Sequence, residues 1–248
     1  MNQIEPDRLP ARYSRRDMLS FAWFAFWRPR HVHMAGARFR ILRNGGSKRR
    51  YVLIHGNEET ARAVLIRHME THEGIAYLAE YQTRTVEVNN AKLDPNRMFS
   101  RAGAEANLKK LNPEISAEQL EAALKLLDRE REHLVRALFP PTGGLLVALH
   151  NNSEGYSVKD EVDISDDTSL REPGNPHAFF LCTDPKDFSV LKTSPYNVVL
   201  QWRAPKTDDG SLSRLAAARE VRYVNLEVGL GHPDRQREMM RWLEWNLS

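Results

Sequence analysis

The sequence predicts a single α/β domain with a mixed central β-sheet flanked by helices. Three observations support this fold class. Short apolar segments of strand type alternate with segments of helical periodicity along most of the 248 residues, as in layered α/β domains. The chain is long enough to bury a sizeable core, and its length suits one large domain. Neither an internal repeat nor a low-complexity linker divides the sequence.

The first half of the chain contains four predicted strands and two predicted helices. The strands are "ARFRIL", "RRYVLIHG", "GIAYLAEY" and "TRTVEV". The first two are joined by "NGGS", a turn signal of the hairpin kind. "EETARAVLIRHMETH" has apolar residues at helical spacing, and the pattern is helical again over residues 100–111.

The second half contains the clearest helix, "NPEISAEQLEAALKLLDREREHLVRALFPP", which Ser116 can cap and Pro140 ends. Further strand candidates are "GGLLVALH", "PHAFFLC", "NVVLQWR" and "VRYVNLEVG". Short helices, "DPKDFSVLKT" and "SLSRLAAARE", lie between them, and "HPDRQREMMRWLEWNL" predicts an amphipathic helix at the end. The polar segment 153–176 is expected to be a long surface excursion, a kind of loop that often lines a site.

Composition narrows the classes of partner. The formal net charge is only +3, and no block of Lys and Arg is interleaved with aromatic residues, so we expect no nucleic-acid partner. The single cysteine, Cys182, excludes an intramolecular disulfide. No apolar run approaches the length of a transmembrane span.

The N-terminus, residues 1–30, is treated as a segment separate from a main domain over residues 31–248. "SRRDMLSFAWFAFWRPR" has two arginines before an apolar stretch and resembles a twin-arginine export signal. The apolar part covers only residues 21–27, and no small-residue cleavage site follows closely, so we favour an amphipathic segment packed on the domain. The expected location is therefore cytoplasmic, with export as the alternative.

Two candidate metal ligands lie in "VLIHGNEETA", where His55 follows a strand and Glu58 opens the next helix. Such a turn lets both side chains point beyond the carboxyl end of the strand, the usual ligand crevice of an open α/β sheet. His150 ends another apolar strand and is the best third ligand. Two imidazoles and a carboxylate suit zinc, and three protein ligands with an open position are typical of a catalytic site. The alternative is that both histidines are hydrogen-bonded residues at strand ends.

Three further residues are candidates for substrate chemistry. Glu227 ends the strand "VRYVNLE", where a carboxylate can serve as general base to a water activated by a metal; the alternative is a surface or ion-paired glutamate. Asn96 and Arg97 are adjacent in "KLDPNRMFSR". The planar guanidinium can bind a carboxylate at two points, and asparagine adds a donor. The alternative for Arg97 is an ion pair with Asp94 that closes the turn.

Two rival constellations have weaker support. "HMETH" places His68 and His72 one helical turn apart, but its glutamate is at the third position and not at the second, as the zinc-binding H-E-x-x-H helix requires. Cys182, with His177 nearby in sequence, is a candidate nucleophile. A lone cysteine in an apolar run is usually a small buried hydrophobic residue, and no activating neighbour is visible.

In order along the chain, "HGNE", "DPNRMF", "LVALHNN" and "VNLEVG" resemble the motifs of the zinc carboxypeptidase superfamily, with the closer likeness to its aspartoacylase and succinylglutamate desuccinylase branch. The resemblance covers roughly residues 50–230 and implies a fold of the zinc-carboxypeptidase type. It implies one zinc ion per chain bound by His55, Glu58 and His150, and Glu227 as general base and acid.

The same resemblance implies that Asn96 and Arg97 hold the carboxylate of the substrate and that an upstream arginine stabilises the oxyanion. Arg84 is the candidate for that role, with Arg101 as the alternative, and Tyr156 and Tyr196 are candidates for a late tyrosine of the family. Because the chain ends soon after Glu227, we expect it to lack the extra carboxyl-terminal domain of the aspartoacylase group.

The predicted function is hydrolysis of an amide bond next to a free carboxylate by water activated at zinc. The substrate would be a small molecule that bears a carboxylate, such as an N-acyl amino acid, or a short or cell-wall-type peptide. The alternative is a non-catalytic protein of the same fold that binds zinc or a carboxylate.

Overall fold

The fold is that of a computed structural model, which describes residues 30–153, 155–203 and 208–247. The N-terminal segment, and with it the question of an export signal, lies outside these residues. A mixed sheet of nine strands runs through the domain in the order β1-β2-β4-β3-β7-β11-β9-β10-β8. The predicted fold class, an α/β domain with a mixed sheet between helices, is confirmed.

The strands of this sheet alternate with helices along the chain, and β5 and β6 form a separate hairpin. The strands are β1 (Arg30–Met34), β2 (Ala37–Asn44), β3 (Arg50–Leu53), β4 (Gly74–Ala79), β5 (Val86–Val88), β6 (Ala91–Leu93), β7 (Leu146–Asn152), β8 (Asp167–Ser169), β9 (Phe179–Cys182), β10 (Asn197–Leu200) and β11 (Tyr223–Gly229). The helices are α1 (Glu59–His68), α2 (Arg101–Leu111), α3 (Ala117–Leu138), α4 (Val158–Val162), α5 (Pro185–Leu191), α6 (Leu212–Ala218) and α7 (Pro233–Asn246), and a 3₁₀ turn covers Pro95–Arg97.

Helices cover both faces of the sheet. One core packs α1, α5 and α7 against it, and a second core packs α2, α3 and α6 against the other face. The middle strands β4, β3, β7 and β11 are parallel, whereas β9 runs antiparallel to β11. Their side chains are almost all buried, as in a sheet covered on both faces. The carboxyl ends of β3, β7 and β11 therefore meet at one edge of the sheet.

Several predicted elements differ from the structure. "TRTVEV" forms a strand only at Val86–Val88, which pairs with β6 and not with the main sheet. The residues that join this hairpin, Asn89 and Asn90, both have positive φ, as a tight hairpin turn requires. β1 was not predicted; it is an edge strand with polar residues, which pairs with β2. The polar excursion contains the short helix α4 and the strand β8, which pairs with β10. No helix in the described part of the chain is long and apolar enough to cross a membrane.

A buried ion-pair cluster at the opposite edge of the sheet fastens α7 to β3 and α1. Glu244 lies 3.2 Å from Arg49 Nε and 3.5 Å from His68 Nε2, and it accepts a hydrogen bond of 3.0 Å from the Tyr51 hydroxyl. Burial works to raise the pKa of Glu244, but His68 and Arg49 outweigh it and hold the pKa below its usual value of 4.5.

This cluster predicts a pH-dependent contribution to stability. A carboxyl whose pKa is lowered by folding stabilises the protein above its unfolded pKa and loses that effect as the pH falls through the folded pKa. Glu244→Gln is therefore expected to cost about 1.5–3 kcal/mol at pH 7, which lowers Tm by roughly 3–12 °C in a domain of this size. The gap in Tm between wild type and variant should shrink as the pH falls below about 4.5. Glu238→Gln, at an exposed position of the same helix, is the control. A gap that stays constant from pH 7 to pH 3 would contradict the prediction.

Candidate active site

The three predicted metal ligands meet at the carboxyl edge of the sheet. His55 follows β3, Glu58 precedes α1 and His150 lies in β7, and all three are buried. One ligand atom from each lies within 4.8 Å of the others. His55 Nδ1 is 2.7 Å from Glu58 Oε1, and His150 Nδ1 is 3.3 Å from Glu58 Oε2. The alternative, two separate histidines at strand ends, does not describe this arrangement.

The tight path between His55 and Glu58 requires a glycine. A Cβ on Gly56 would lie 1.9 Å from the carbonyl oxygen of Tyr81, and the Gly56 amide donates to the Thr83 carbonyl at 3.1 Å. Any larger residue would push the turn away from the loop that carries Arg84.

A fourth polar residue, Asp94, orients His55 from the other side of the ring. His55 Nε2 lies 2.8 Å from Asp94 Oδ1, so Nδ1 faces Glu58. Histidines that bind metals commonly donate their second ring nitrogen to a carboxylate in this way, which sets the ring orientation and raises the basicity of the ligand. From the sequence, Asp94 is a candidate only as an ion-pair partner of Arg97. Its role depends on a contact between residues 39 positions apart.

The electrostatics of the group favour an ionised carboxylate between two imidazoles. Burial works to raise the pKa of Glu58, but His150 and His55 outweigh it and hold the pKa at about 2. Burial works to lower the pKa of His55, and its hydrogen bonds to Asp94 and Glu58 outweigh this and raise it. His150 Nε2 is buried and has no hydrogen-bond partner among the described residues, and Glu58 Oε2 makes no hydrogen bond although it lies 3.3 Å from His150 Nδ1. Unsatisfied buried polar atoms are rare in native proteins. Together with a donor set of two nitrogens and one oxygen, they fit a bound zinc ion.

Glu227 lies beside this group, because β11 pairs in parallel with β7 and places Glu227 opposite His150. Two asparagine amides hold its carboxylate: Asn225 donates to Oε1 at 3.0 Å and Asn152 donates to Oε2 at 3.2 Å. Glu227 is only 5% exposed, and this burial raises its pKa. A carboxyl group with a raised pKa is suited to taking up and releasing a proton near neutral pH.

A cavity of about 440 Å³ opens in front of the metal ligands and Glu227. Arg84, Asn96 and Arg97, the predicted substrate-binding and catalytic residues, all line it. Arg84 is half exposed, with Nη1 3.2 Å from Glu58 Oε1 and Nε 3.4 Å from Asp94 Oδ2. It therefore lies next to the proposed metal position.

Asn96 and Arg97 line the wall of the cavity that faces α6. Asn96 Oδ1 accepts a hydrogen bond from the Leu212 amide at 3.1 Å. Arg97 pairs with Asp209 at 3.1 Å, so the alternative ion pair with Asp94 is wrong.

Of the three remaining candidate residues, only one lines the cavity. Tyr156 lines the cavity, and its hydroxyl donates to Glu161 at 2.6 Å. Tyr196 packs against Phe180 and Arg235 and does not line the cavity. Arg101, the alternative oxyanion residue, is exposed and pairs with Asp128 and Glu121 on the helical face. It has no part in the site.

Sequence reasoning missed Arg214, which lies in α6 and lines the same cavity. The residue is only 8% exposed. Its guanidinium makes no hydrogen bond or ion pair with any residue of the described ranges, and none of its nitrogens is among the buried unpaired atoms, so the charge is accessible in the cavity. An unpaired arginine in a polar cavity indicates a binding position for an anion. In the sequence it lies within "SLSRLAAARE", where nothing distinguishes it from a surface residue of a short helix.

The rival constellations have structural roles. The rings of His68 and His72 stack with centroids 3.9 Å apart, and His68 belongs to the cluster around Glu244. Cys182 is fully buried, and burial raises the pKa of its thiol well above the usual value, so the reactive thiolate is disfavoured. His177 Nδ1 contacts the Tyr156 carbonyl oxygen and not the cysteine.

Comparison with known proteins found no matching family model and no matching curated protein. Among solved structures, the chain is similar to the product-bound ectoine utilization protein EutE (DoeB) from Ruegeria pomeroyi, with 15% identity, a TM-score of 0.44 and coverage of 84% of this chain and 60% of that one. A succinylglutamate desuccinylase/aspartoacylase from Rhodobacter sphaeroides has 11% identity, a TM-score of 0.42 and coverage of 85% and 59%.

A third similar structure is a "putative metallopeptidase" from Shewanella amazonensis SB2B, with 13% identity, a TM-score of 0.41 and coverage of 94% of this chain and 92% of that one. The chain thus spans about three fifths of the first two proteins and nearly the whole of the third.

Proposed function

We propose that residues 31–248 form a zinc-dependent hydrolase that cleaves an amide bond next to a free carboxylate. One observation carries the proposal. A single cavity brings together a buried His55–Glu58–His150 group, the buried carboxylate of Glu227 and the unpaired guanidinium of Arg214. These are the parts that the reaction needs: a metal position, a proton acceptor and an anchor for an anion.

His55, Glu58 and His150 would hold the zinc ion, with Asp94 fixing the orientation of His55. When bound, zinc supplies a Lewis acid that polarises a carbonyl group and lowers the pKa of water to about 7. Glu227 would accept the proton of the attacking water and pass it to the nitrogen of the leaving amine. Asn152 and Asn225 would keep the Glu227 carboxylate in place during both transfers.

The cationic residues of the cavity would bind and orient the substrate. Arg214 would pair with its free carboxylate, because it is the cation that has no partner of its own among the described residues. Asn96 would donate through Nδ2, since its oxygen already accepts from Leu212, and Arg97 would add a second cation on the same wall. Arg84, beside Glu58, would stabilise the negative charge that develops on the carbonyl oxygen.

Replacing Arg214 with methionine is expected to weaken substrate binding and to leave the stability of the free protein nearly unchanged. A hydrogen-bonded charge pair contributes about 1.5–3 kcal/mol, so the variant should raise KM by roughly 10–100-fold. None of the guanidinium nitrogens is among the buried unpaired atoms, so the charge is hydrated in the cavity and Tm should stay close to that of wild type. Steady-state kinetics and thermal unfolding measure the two effects. Arg219→Met removes an arginine that follows the same helix and pairs with Glu132 on the surface, and it should leave KM unchanged. An Arg214→Met variant with the KM of wild type would contradict the role.

The proposal as a whole is tested by metal analysis and a substrate panel. Purified protein should contain about one zinc per chain and should hydrolyse members of a panel of N-acyl amino acids and dipeptides. The same compounds with the carboxylate blocked as a methyl ester are the matched controls and should react far more slowly. Faster hydrolysis of the N-acyl amino acids would indicate an N-acyl amino acid hydrolase, and faster hydrolysis of the dipeptides would indicate a peptidase. A protein that binds zinc and hydrolyses neither half, or that prefers the esters, would overturn the proposal.

A further inference from the structure

The helix that follows the metal-binding turn is capped in an unusual way. Glu58 occupies the N-cap position of α1, yet its side chain makes no capping hydrogen bond. An N-cap side chain normally accepts a hydrogen bond from the amide of the second or third residue of the helix. The third residue of α1 is Ala61, and its amide donates instead to Asn151 Oδ1, at 2.8 Å, from the neighbouring strand β7.

Asn151 is held in this position by a second buried amide, Gln236 of α7. Asn151 Nδ2 donates to Gln236 Oε1 at 3.2 Å and to the Val228 carbonyl oxygen at 3.3 Å. Gln236 Nε2 donates to the carbonyl oxygen of His150 at 3.1 Å. Asn151 is 7% exposed and Gln236 is completely buried. The two amides therefore tie α1, β7, β11 and α7 together directly behind the metal ligands.

We infer that the Asn151–Gln236 pair is a positioning device that caps α1 in place of Glu58 and so leaves the Glu58 carboxylate free for the metal. A buried amide on the helix start would otherwise compete for that carboxylate, because capping by the N-cap side chain is the ordinary local solution. The inference rests on the proposed function for the metal, but the capping itself is a property of the metal-free protein.

The experiment compares the variants Asn151→Leu and Gln236→Met with wild type in two measurements. The first is the dissociation constant for Zn²⁺, measured by competition with a chelator. The second is hydrogen exchange of the Ala61 amide in the metal-free protein. We expect Asn151→Leu to weaken Zn²⁺ binding by about 10–100-fold, the effect usual for residues that orient metal ligands, and to speed the exchange of Ala61. Gln236→Met should change both in the same direction.

Because the two amides act as one unit, the double variant should bind Zn²⁺ no more weakly than Asn151→Leu alone. The matched control is Thr183→Val. Thr183 is also 7% exposed, and its hydroxyl bonds the Val221 carbonyl oxygen and the Tyr223 amide at the opposite end of β11. This variant should lower Tm and leave both Zn²⁺ binding and Ala61 exchange unchanged.

The inference would be overturned if Asn151→Leu bound Zn²⁺ as tightly as wild type, or if Thr183→Val weakened binding equally. If neither apolar variant folds, Gln236→Asn keeps a buried amide but shortens its reach and serves the same comparison. Failure of the proposed function has a different signature: wild type would then bind no Zn²⁺ or hydrolyse none of the panel. Unchanged exchange of Ala61 in Asn151→Leu would overturn the capping role in either case.

Discussion

Replacing Glu227 with glutamine is expected to lower kcat by about 10²–10⁴-fold, the contribution typical of a positioned general base. The substitution keeps the size of the side chain, and Asn225 and Asn152 remain beside it. It removes the ability to take up a proton and turns one acceptor oxygen into an NH₂ donor. Asn225 can meet this donor by turning its amide, because its Oδ1 has no hydrogen-bond partner among the described residues. Zinc content and Tm should therefore stay close to those of wild type, and KM should change far less than kcat.

The matched control for this variant is Glu161→Gln. Glu161 is a second carboxylate on the wall of the same cavity, where it contacts the Tyr156 hydroxyl and Gln201. The same chemical change there should affect kcat far less than the change at Glu227. Equal losses from both variants would show that the cavity needs negative charge in general and not a base at Glu227. A Glu227→Gln variant with wild-type kcat would contradict the proposed mechanism and favour a protein that only binds its ligand.

The double variant His55→Ala/His150→Ala is expected to lose both its zinc and its hydrolytic activity. Removing two of the three ligands leaves a single carboxylate, which cannot hold zinc in a tetrahedral site. The zinc content should fall from about one per chain to near zero, and hydrolysis should disappear with it. Metal analysis after dialysis against a weak chelator measures the first effect, and the substrate panel measures the second.

His68→Ala/His72→Ala is the matched control, since these two histidines are also neighbours and were the rival metal site. Their rings stack and His68 belongs to the cluster that holds α7, so their loss should lower Tm and leave the zinc content unchanged. Retention of full metal content by the His55/His150 double variant would show that the ligands are elsewhere and would overturn the proposed site.

The positions of the candidate ligands could be predicted because they depend on local patterns. His55, His150 and Glu227 each lie at or near the end of an apolar strand, and parallel strands bring their carboxyl ends to one edge. The helices with clear caps and periodicity were also predictable. Ser116 caps α3 in a capping box with Gln119, and the segment "SAEQ" has the serine and glutamine at the spacing that this motif requires.

Contacts between residues that are far apart in the chain were predicted less well. Arg97 was considered as a partner of the adjacent Asp94, but it pairs with Asp209, more than a hundred residues away in the chain. Asp94 instead orients His55. The edge strand β1, the strand β6 and the pairing of β6 with β5 were also missed, because short strands of this kind are stabilised by their pairing and not by a strong pattern of their own.

The sequence by itself determined the fold class, the strand-to-helix turn at "HGNE" and the residues whose chemistry suits a metal and a base. Only the tertiary structure decided that Glu227 lies opposite His150, that Arg214 lines the cavity without a partner among the described residues and that Asn151 caps the helix of Glu58. The physical reason is the range of the interactions. Periodicity and turn chemistry act between neighbours in the chain, whereas burial, charge pairing and capping from another strand depend on which distant segments the folded sheet brings together.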